Sequence, residues 1–373
     1  MFKVNYETAR KEAGFNYSVS NGVSSLMEIA DLTYYEINTD YKAGIKLYSK
    51  ENVEKLDKMF DYKLSHIAPS TGHISYGHLS CLGMELVFPE GGGDVNYVHE
   101  NKSMDEWIKI LKKDIELSDL AKKQLEYREQ LQKAFPGEKV GWTFGYEGPM
   151  TTAYELRDMN VFYDVYDDPE KFKEFLTVMT KNTVEYIKIH SKINGNKEFS
   201  NDGWGLCDDI ASMFSPDLWE EFVLPYWEIY YNGVTDGKRF IHVEDLNYKH
   251  VKHLEKANIN MYDPSVSAKL NPPLIFENTR VPFKWRLNGF HYDLLTVQEV
   301  SDWVYKAAAD GASEIFSIVT HQQINESGVK KVLAFEKACR ECKKLIDEGI
   351  DREQLNSYVS EAGKERFWAN WHE

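Results

Sequence analysis

The chain has 373 residues, 42% of them hydrophobic and 14% aromatic, which suffices for a large core and for one β/α barrel of about 250 residues with additions. Its net charge of −16, from 44 basic and 60 acidic residues, argues against nucleic acid and against anionic membrane as partners. It has no apolar run of about 18 residues or more, no charged-then-apolar secretory pattern at its start, and too few cysteines for a disulfide scaffold, so a cytoplasmic protein is expected.

Residues 1–60 read as mixed, mostly helical and polar, an N-terminal cap. Residues 62–69 read as a first strand, followed by a loop that carries His73 and His78, either lining a cleft mouth or structural. The run Glu90-Gly91-Gly92-Gly93 precedes no helix and is a weak nucleotide signal. Helical patterns cover 103–117 and 117–134, the first opened by Ser103 with Glu106 three residues on, a capping box. From residue 139 short apolar strands alternate with helices. Strands are expected within 139–149, 198–209, 238–245, 259–265, 283–290 and 314–321. Helices are expected within 151–166 and 169–194, after Ser215-Pro216-Asp217, and over 247–257, 296–310 and 328–347. This alternation is the signature of β/α units and a parallel sheet, and six or seven units favour a closed barrel over an open sheet. The expectation is one α/β domain over 1–373, a TIM (β/α)8 barrel at 61–350 with N-terminal helical additions and a helical tail at 351–373.

The most informative stretch is Arg239-Phe240-Ile241-His242-Val243-Glu244-Asp245. Alternate residues of a strand face the same way, so His242 and Glu244 share a face. The later apolar run 315–320 ends at His321. If the two strands neighbour each other in one closed sheet, His242, Glu244 and His321 converge as three ligands with an open fourth position, the pattern of catalytic zinc.

Other candidates surround these. Glu147, at a strand end before Gly148-Pro149, reads as a further ligand, as a proton shuttle with its pKa raised by burial, or as a cap on its own turn. Of Asp208 and Asp209, Asp209 is the better catalytic candidate; Asp263, at another strand end, is a candidate for the substrate site or for supporting a ligand. Trp142, Phe144, Tyr146, Trp204, Tyr262, Trp285 and Phe290 lie on or at the ends of strands. Tyr146, Trp204 and Tyr262 are the candidates for substrate contact, although inward aromatics also simply fill barrels. His250 and His253 are expected to be solvated on an outer helix. Cys339 and Cys342 read either as a metal-binding pair or, since no second pair follows, as two thiols on an amphipathic helix.

Several blocks resemble the uroporphyrinogen decarboxylase-like superfamily: Glu147-Gly148-Pro149-Met150-Thr151-Thr152-Ala153 with Leu156-Arg157, and Asp208-Asp209-Ile210-Ala211-Ser212-Met213 running into the 214–226 stretch FSPDLWEEFVLPY, followed by the strand with His242. The resemblance spans roughly residues 65–347 and implies a TIM barrel. It also implies one of two activities: cofactor-free decarboxylation of uroporphyrinogen, or zinc-dependent methyl transfer with a corrinoid protein. The decarboxylases carry an Arg-rich N-terminal segment that grips substrate carboxylates, whereas this chain has Arg10 and then none before Arg128. The thiol-methylating members are similar to one another in a His-x-Cys plus a distant Cys as zinc ligands. Here the first reads His242-Val243-Glu244, and the second falls near His321.

Replacing sulfur by oxygen and nitrogen leaves zinc more Lewis acidic, suited to polarising an ether oxygen. The resemblance therefore implies a zinc-dependent methyltransferase, of the O-demethylase methyltransferase I type. It would move a methyl group from a small methylated substrate, best an aryl methyl ether, to the Co(I) corrinoid (cobalamin) of a partner protein. The alternatives are a metal-free decarboxylase-like lyase, a methylcorrinoid-dependent transferase to a thiol, and a non-catalytic binding barrel. The sequence leaves open the methyl donor, the direction of transfer and the oligomeric state.

Overall fold

The computed structural model describes residues 3–90 and 93–368. Gly91 and Gly92 of the glycine run, and residues 369–373 of the tail, lie outside the described residues. Residues 32–48 and 68–243 form one compact unit, and residues 4–31, 49–67 and 244–368 form the other.

In the first unit, parallel extended segments follow one another in chain order. Ser70 bridges Gly141 and Ile74 bridges Phe144. The amide of Gly148 donates to the Cys207 carbonyl at 2.6 Å. Gly203–Cys207 then pairs in parallel with Lys238–His242, with Cys207 opposite His242. Helices separate the segments. The longest, Pro169–Ile193, starts at Asp168, whose side chain accepts from the Lys171 amide, and has proline in its first turn. Its buried Phe172, Phe175, Leu176, Met179, Thr183, Tyr186 and Ile187 recur at three- and four-residue spacing and form one buried, mostly apolar face. Trp142 and Phe144 stack at 5.2 Å in the core beneath it. The Tyr186 hydroxyl reaches the Phe144 carbonyl at 2.8 Å, and Asn194 bonds both the amide and the carbonyl of Trp142.

In the second unit, Asn16–Asn21 pairs in parallel with Glu314–Val319, which pairs in parallel with Lys284–Arg286. Tyr262 bridges Phe283, and Ser20 bridges Ser65. The helices Val297–Ala309 and Glu326–Asp347 cover this sheet. Asp302, wholly buried on the first of them, accepts from the Ser360 amide at 3.0 Å and from Gln298 at 2.9 Å, which fixes the C-terminal segment to the body of the unit.

Several expectations change. A sheet strand, Asn16–Asn21, lies in the segment read as a helical cap; its polar alternation NYSVSN hides it. Residues 62–69 contribute a bridge at Ser65, not a strand. The stretch 247–257 holds only a one-turn helix, His253–Lys256. For that reason His250 and His253 are buried, at 2% and 3% exposure, instead of solvated. The Asn247 amide donates to His250 Nδ1 at 3.2 Å, closing a local turn. Cys339 and Cys342 are wholly buried, and burial raises both thiols, Cys342 to about 12, so they are protonated core side chains. No helix among the described residues is long and apolar enough to cross a membrane.

The Ser103 capping box is present in both directions, with Glu106 accepting from the Ser103 amide at 2.8 Å. Ser103→Ala is expected to lower unfolding free energy by about 1 kcal/mol, read as a shift in urea midpoint at unchanged m-value; no shift would mean the cap contributes nothing.

Candidate functional site

Parallel strands deliver their C-terminal ends to one side of a sheet, and polar residues placed there meet. In the first unit this gathers Glu147, Asp208, Asp209 and His242. Gly148 makes the approach possible: a Cβ on it would stand 2.5 Å from the Cys207 carbonyl oxygen and 2.6 Å from Asp208 Cβ. The backbone amide of Asp208 donates to the His242 carbonyl at 3.1 Å.

The two adjacent aspartates have different tasks. Asp208 is wholly buried, accepting from the Thr151 amide at 2.8 Å and from Trp227 Nε1 at 2.6 Å. Burial pushes its pKa up to about 7 against the downward pull of those two donors. It is a structural carboxyl that ties the start of helix Pro149–Arg157 to the strand end. Asp209, with its side chain 44% exposed, faces the open side; its Oδ1 lies 3.8 Å from His242 Nε2.

Glu147 is held up to about 8, first by burial and then by the charges of Asp209 and Asp208, with His242 pulling the other way. Behind it, on helix Pro149–Arg157, Glu155 is 2% exposed with Oε1 lacking a partner among the described residues, and its pKa is raised well above the ordinary value by burial and by Glu147. The first unit thus stores protons on a cluster of acids at neutral pH.

Aromatic rings border this cluster. Tyr146 packs edge-on to Tyr186 at 6.2 Å and to His190 at 5.6 Å, and half-buried Trp204 hydrogen-bonds its hydroxyl. Tyr76 meets Tyr97 edge-on at 4.8 Å, and the phenols of both are raised by burial first, with the charge of Glu155 adding to it. No sequence signal marks these two tyrosines, since they come from a loop and a two-residue strand. His78, by contrast, is a core residue bonded to Asn182 at 2.9 Å.

The remaining sequence candidates belong to the second unit. Glu244 stands half-buried in the turn after the strand Lys238–His242. Asp263 ends Met261–Asp263, and its Oδ1 accepts from the Ser265 amide at 2.8 Å. Tyr262 is wholly buried on the opposite face of that strand. His321 is exposed at the first position of the turn His321–Gln323. Arg286, which the sequence does not single out, feels the charges of both Asp263 and Glu244. Among the described residues no group of three or more His, Cys, Asp or Glu forms a preassembled metal site.

Acids and a histidine collected at the C-terminal ends of parallel strands define a β/α protein whose site is built from strand ends. The chain belongs to the uroporphyrinogen decarboxylase (URO-D) family, which matches residues 76–271, more than half of its length. Its fold is similar to that of a methyltransferase from Methanosarcina mazei, with a TM-score of 0.60 at 13% identity over 90% of this chain and 96% of the other. No curated protein matches its sequence.

The raised carboxyl of Glu147 predicts a pH dependence. The folded state binds its proton up to about pH 8 and the unfolded chain only up to 4.5. Stability from this group is therefore full below the lower value and is lost as pH rises through the upper one. In chelator-treated protein, Glu147→Gln should flatten the fall in melting temperature between those limits and raise it at the alkaline end. A variant with the wild-type slope would remove Glu147 from the account.

Proposed function

We propose that the protein is a methyltransferase that demethylates a small methylated compound, best an aryl methyl ether, and passes the methyl group to the corrinoid of a partner protein. The fold supports this reading through its likeness to a methyltransferase, and the family permits it. Each unit contains parallel strand pairing, as a β/α fold of this kind would need.

The observation that carries the reading is the pairing of His242 with Asp209 beside a protonated Glu147. Their 3.8 Å separation is too long for a hydrogen bond. It is close to the roughly 3.4 Å between two ligand atoms of one tetrahedral zinc with bonds of about 2.1 Å. Imidazole and carboxylate are the donor types zinc accepts, so the chemistry of this set fits. His242 and Asp209 are the residues of the first unit that would hold the ion; Glu244 and His321, the other expected ligands, belong to the second unit. Zinc there would supply Lewis acidity toward the ether oxygen. Glu147, holding its proton at neutral pH, would deliver it to the phenolate oxygen released as the methyl group leaves. Tyr146 and Trp204 would stack on the substrate ring and exclude water from it.

Porphyrinogen decarboxylation is disfavoured by the fate of Arg10. Its guanidinium lies over the Phe276 ring and donates to the carbonyls of Phe276 and Thr279, closing the end of helix Pro272–Asn278. It is a helix cap and not a gripper of carboxylates.

The test is to mix the purified protein with a reduced corrinoid protein and a panel of methoxyaromatics, and to follow release of the phenol by chromatography. The expected result is turnover with near-stoichiometric zinc, and loss of both on His242→Ala, with activity down at least about 100-fold. Full activity in zinc-free protein, or no phenol from any ether, would refute the reading.

A further inference from the structure

Two buried acids of the first unit are treated differently by their surroundings. Asp208 has both oxygens satisfied. Glu155, on helix Pro149–Arg157, is 2% exposed, and its Oε1 has no hydrogen-bond partner among the described residues. The charges that act on it are those of Glu147 and Asp208, both acids. Neighbouring basic residues are occupied. Arg157, two positions on, forks onto Asp164 at 2.7 and 2.8 Å. Lys102, whose carbonyl accepts from Arg157 Nη1, is paired with Glu100. A buried carboxyl left without a partner destabilises a fold unless something else supplies one.

Two phenols share this carboxyl. The His78 amide donates to the Gly145 carbonyl at 2.9 Å, which sets Tyr76 beside the segment that ends at Glu147. Tyr97, on the strand Asn96–Tyr97, meets Tyr76 edge-on with centroids 4.8 Å apart. The charge of Glu155 acts on both hydroxyls, and that of Glu147 acts on Tyr76 as well. Both rings are half-buried, so each keeps an accessible surface. Aromatic faces carry negative potential and attract cations, and acids beside them add to that attraction. An anion would meet only like charge here. A positive group would let Glu155 ionise, its proton leaving to solvent, and the pair so formed would add no net charge beside Glu147.

We propose that Glu155, Tyr76 and Tyr97 form a site for an organic ammonium group, so that the methylated substrate is a methoxyaryl amine such as a methoxyphenethylamine. The proposal rests on the methyl-transfer reading for the identity of the substrate, and on the first unit alone for the ammonium. The carboxyl supplies the countercharge, and the two rings supply an apolar wall that a methylene-linked ammonium can touch.

The experiment is direct binding of 4-methoxyphenethylamine and its neutral counterpart 4-methoxyphenethyl alcohol to the full chain, by calorimetry, without corrinoid protein. Salt at about 0.15 M screens long-range attraction to the acidic chain. Wild type should prefer the amine at least tenfold. Glu155→Gln should abolish that preference while leaving the alcohol within twofold. Tyr97→Phe, which keeps the ring, should retain the preference, and Tyr97→Leu should lose at least threefold of it. Should Glu155→Gln not fold, the two Tyr97 variants decide. No preference in wild type, equal loss of both ligands in the variants, or no binding of either compound would overturn the assignment. A preference for the amine without phenol release in the turnover assay would leave the ammonium site in place and refute methyl transfer. Turnover of amine and alcohol alike, with no preference in binding, would do the reverse.

Discussion

A carboxyl with both oxygens occupied holds the first unit's site together. Asp208 receives the Thr151 amide on one side and the Trp227 indole on the other, while its own amide reaches the His242 carbonyl. Three chain segments far apart in sequence are thereby fixed to one strand end. Glu147, Asp209 and His242 inherit their positions from that junction. The arrangement is costly to build, because burial alone drives the Asp208 pKa upward. Such a cost is tolerated where neighbouring groups must be held to a fraction of an ångström.

The same junction explains the division of labour between adjacent aspartates. The residue that points inward is consumed by structure, and the one after it, at the start of the turn Asp209–Met213, is turned toward the imidazole. Glu147 is pushed toward neutrality by burial first and then by the charges of both. Acids packed so closely resist simultaneous ionisation, and the site therefore retains protons where an isolated carboxylate would have none. An incoming cation would relieve that repulsion.

Much of this was legible in the chain. The alternation of short apolar runs with amphipathic helices is local, and the strands Gly203–Cys207, Lys238–His242 and Glu314–Val319 and the long helices follow from it. The Ser103 cap was readable because its chemistry spans only three residues. The strand Asn16–Asn21 was not, since its stability comes from pairing with a partner some three hundred residues away and its own composition is polar. His250 and His253 have helical spacing in a stretch that is mostly turn, so spacing alone does not place them. Tyr76, Tyr97 and Arg286 were invisible for a different reason: their surroundings, not their neighbours in sequence, make them notable.

The seat of the C-terminal segment bears on how the protein can be handled. Ser360 is locked to Asp302, and Trp368 lies against Trp285 and Trp303, with the ring centroids of the latter pair 6.1 Å apart. These indoles stand on the far side of the strand that presents Arg286. Shortening the chain past residue 351 would strip the cover from two large apolar rings, expose sticky surface and loosen the platform on which a guanidinium is mounted.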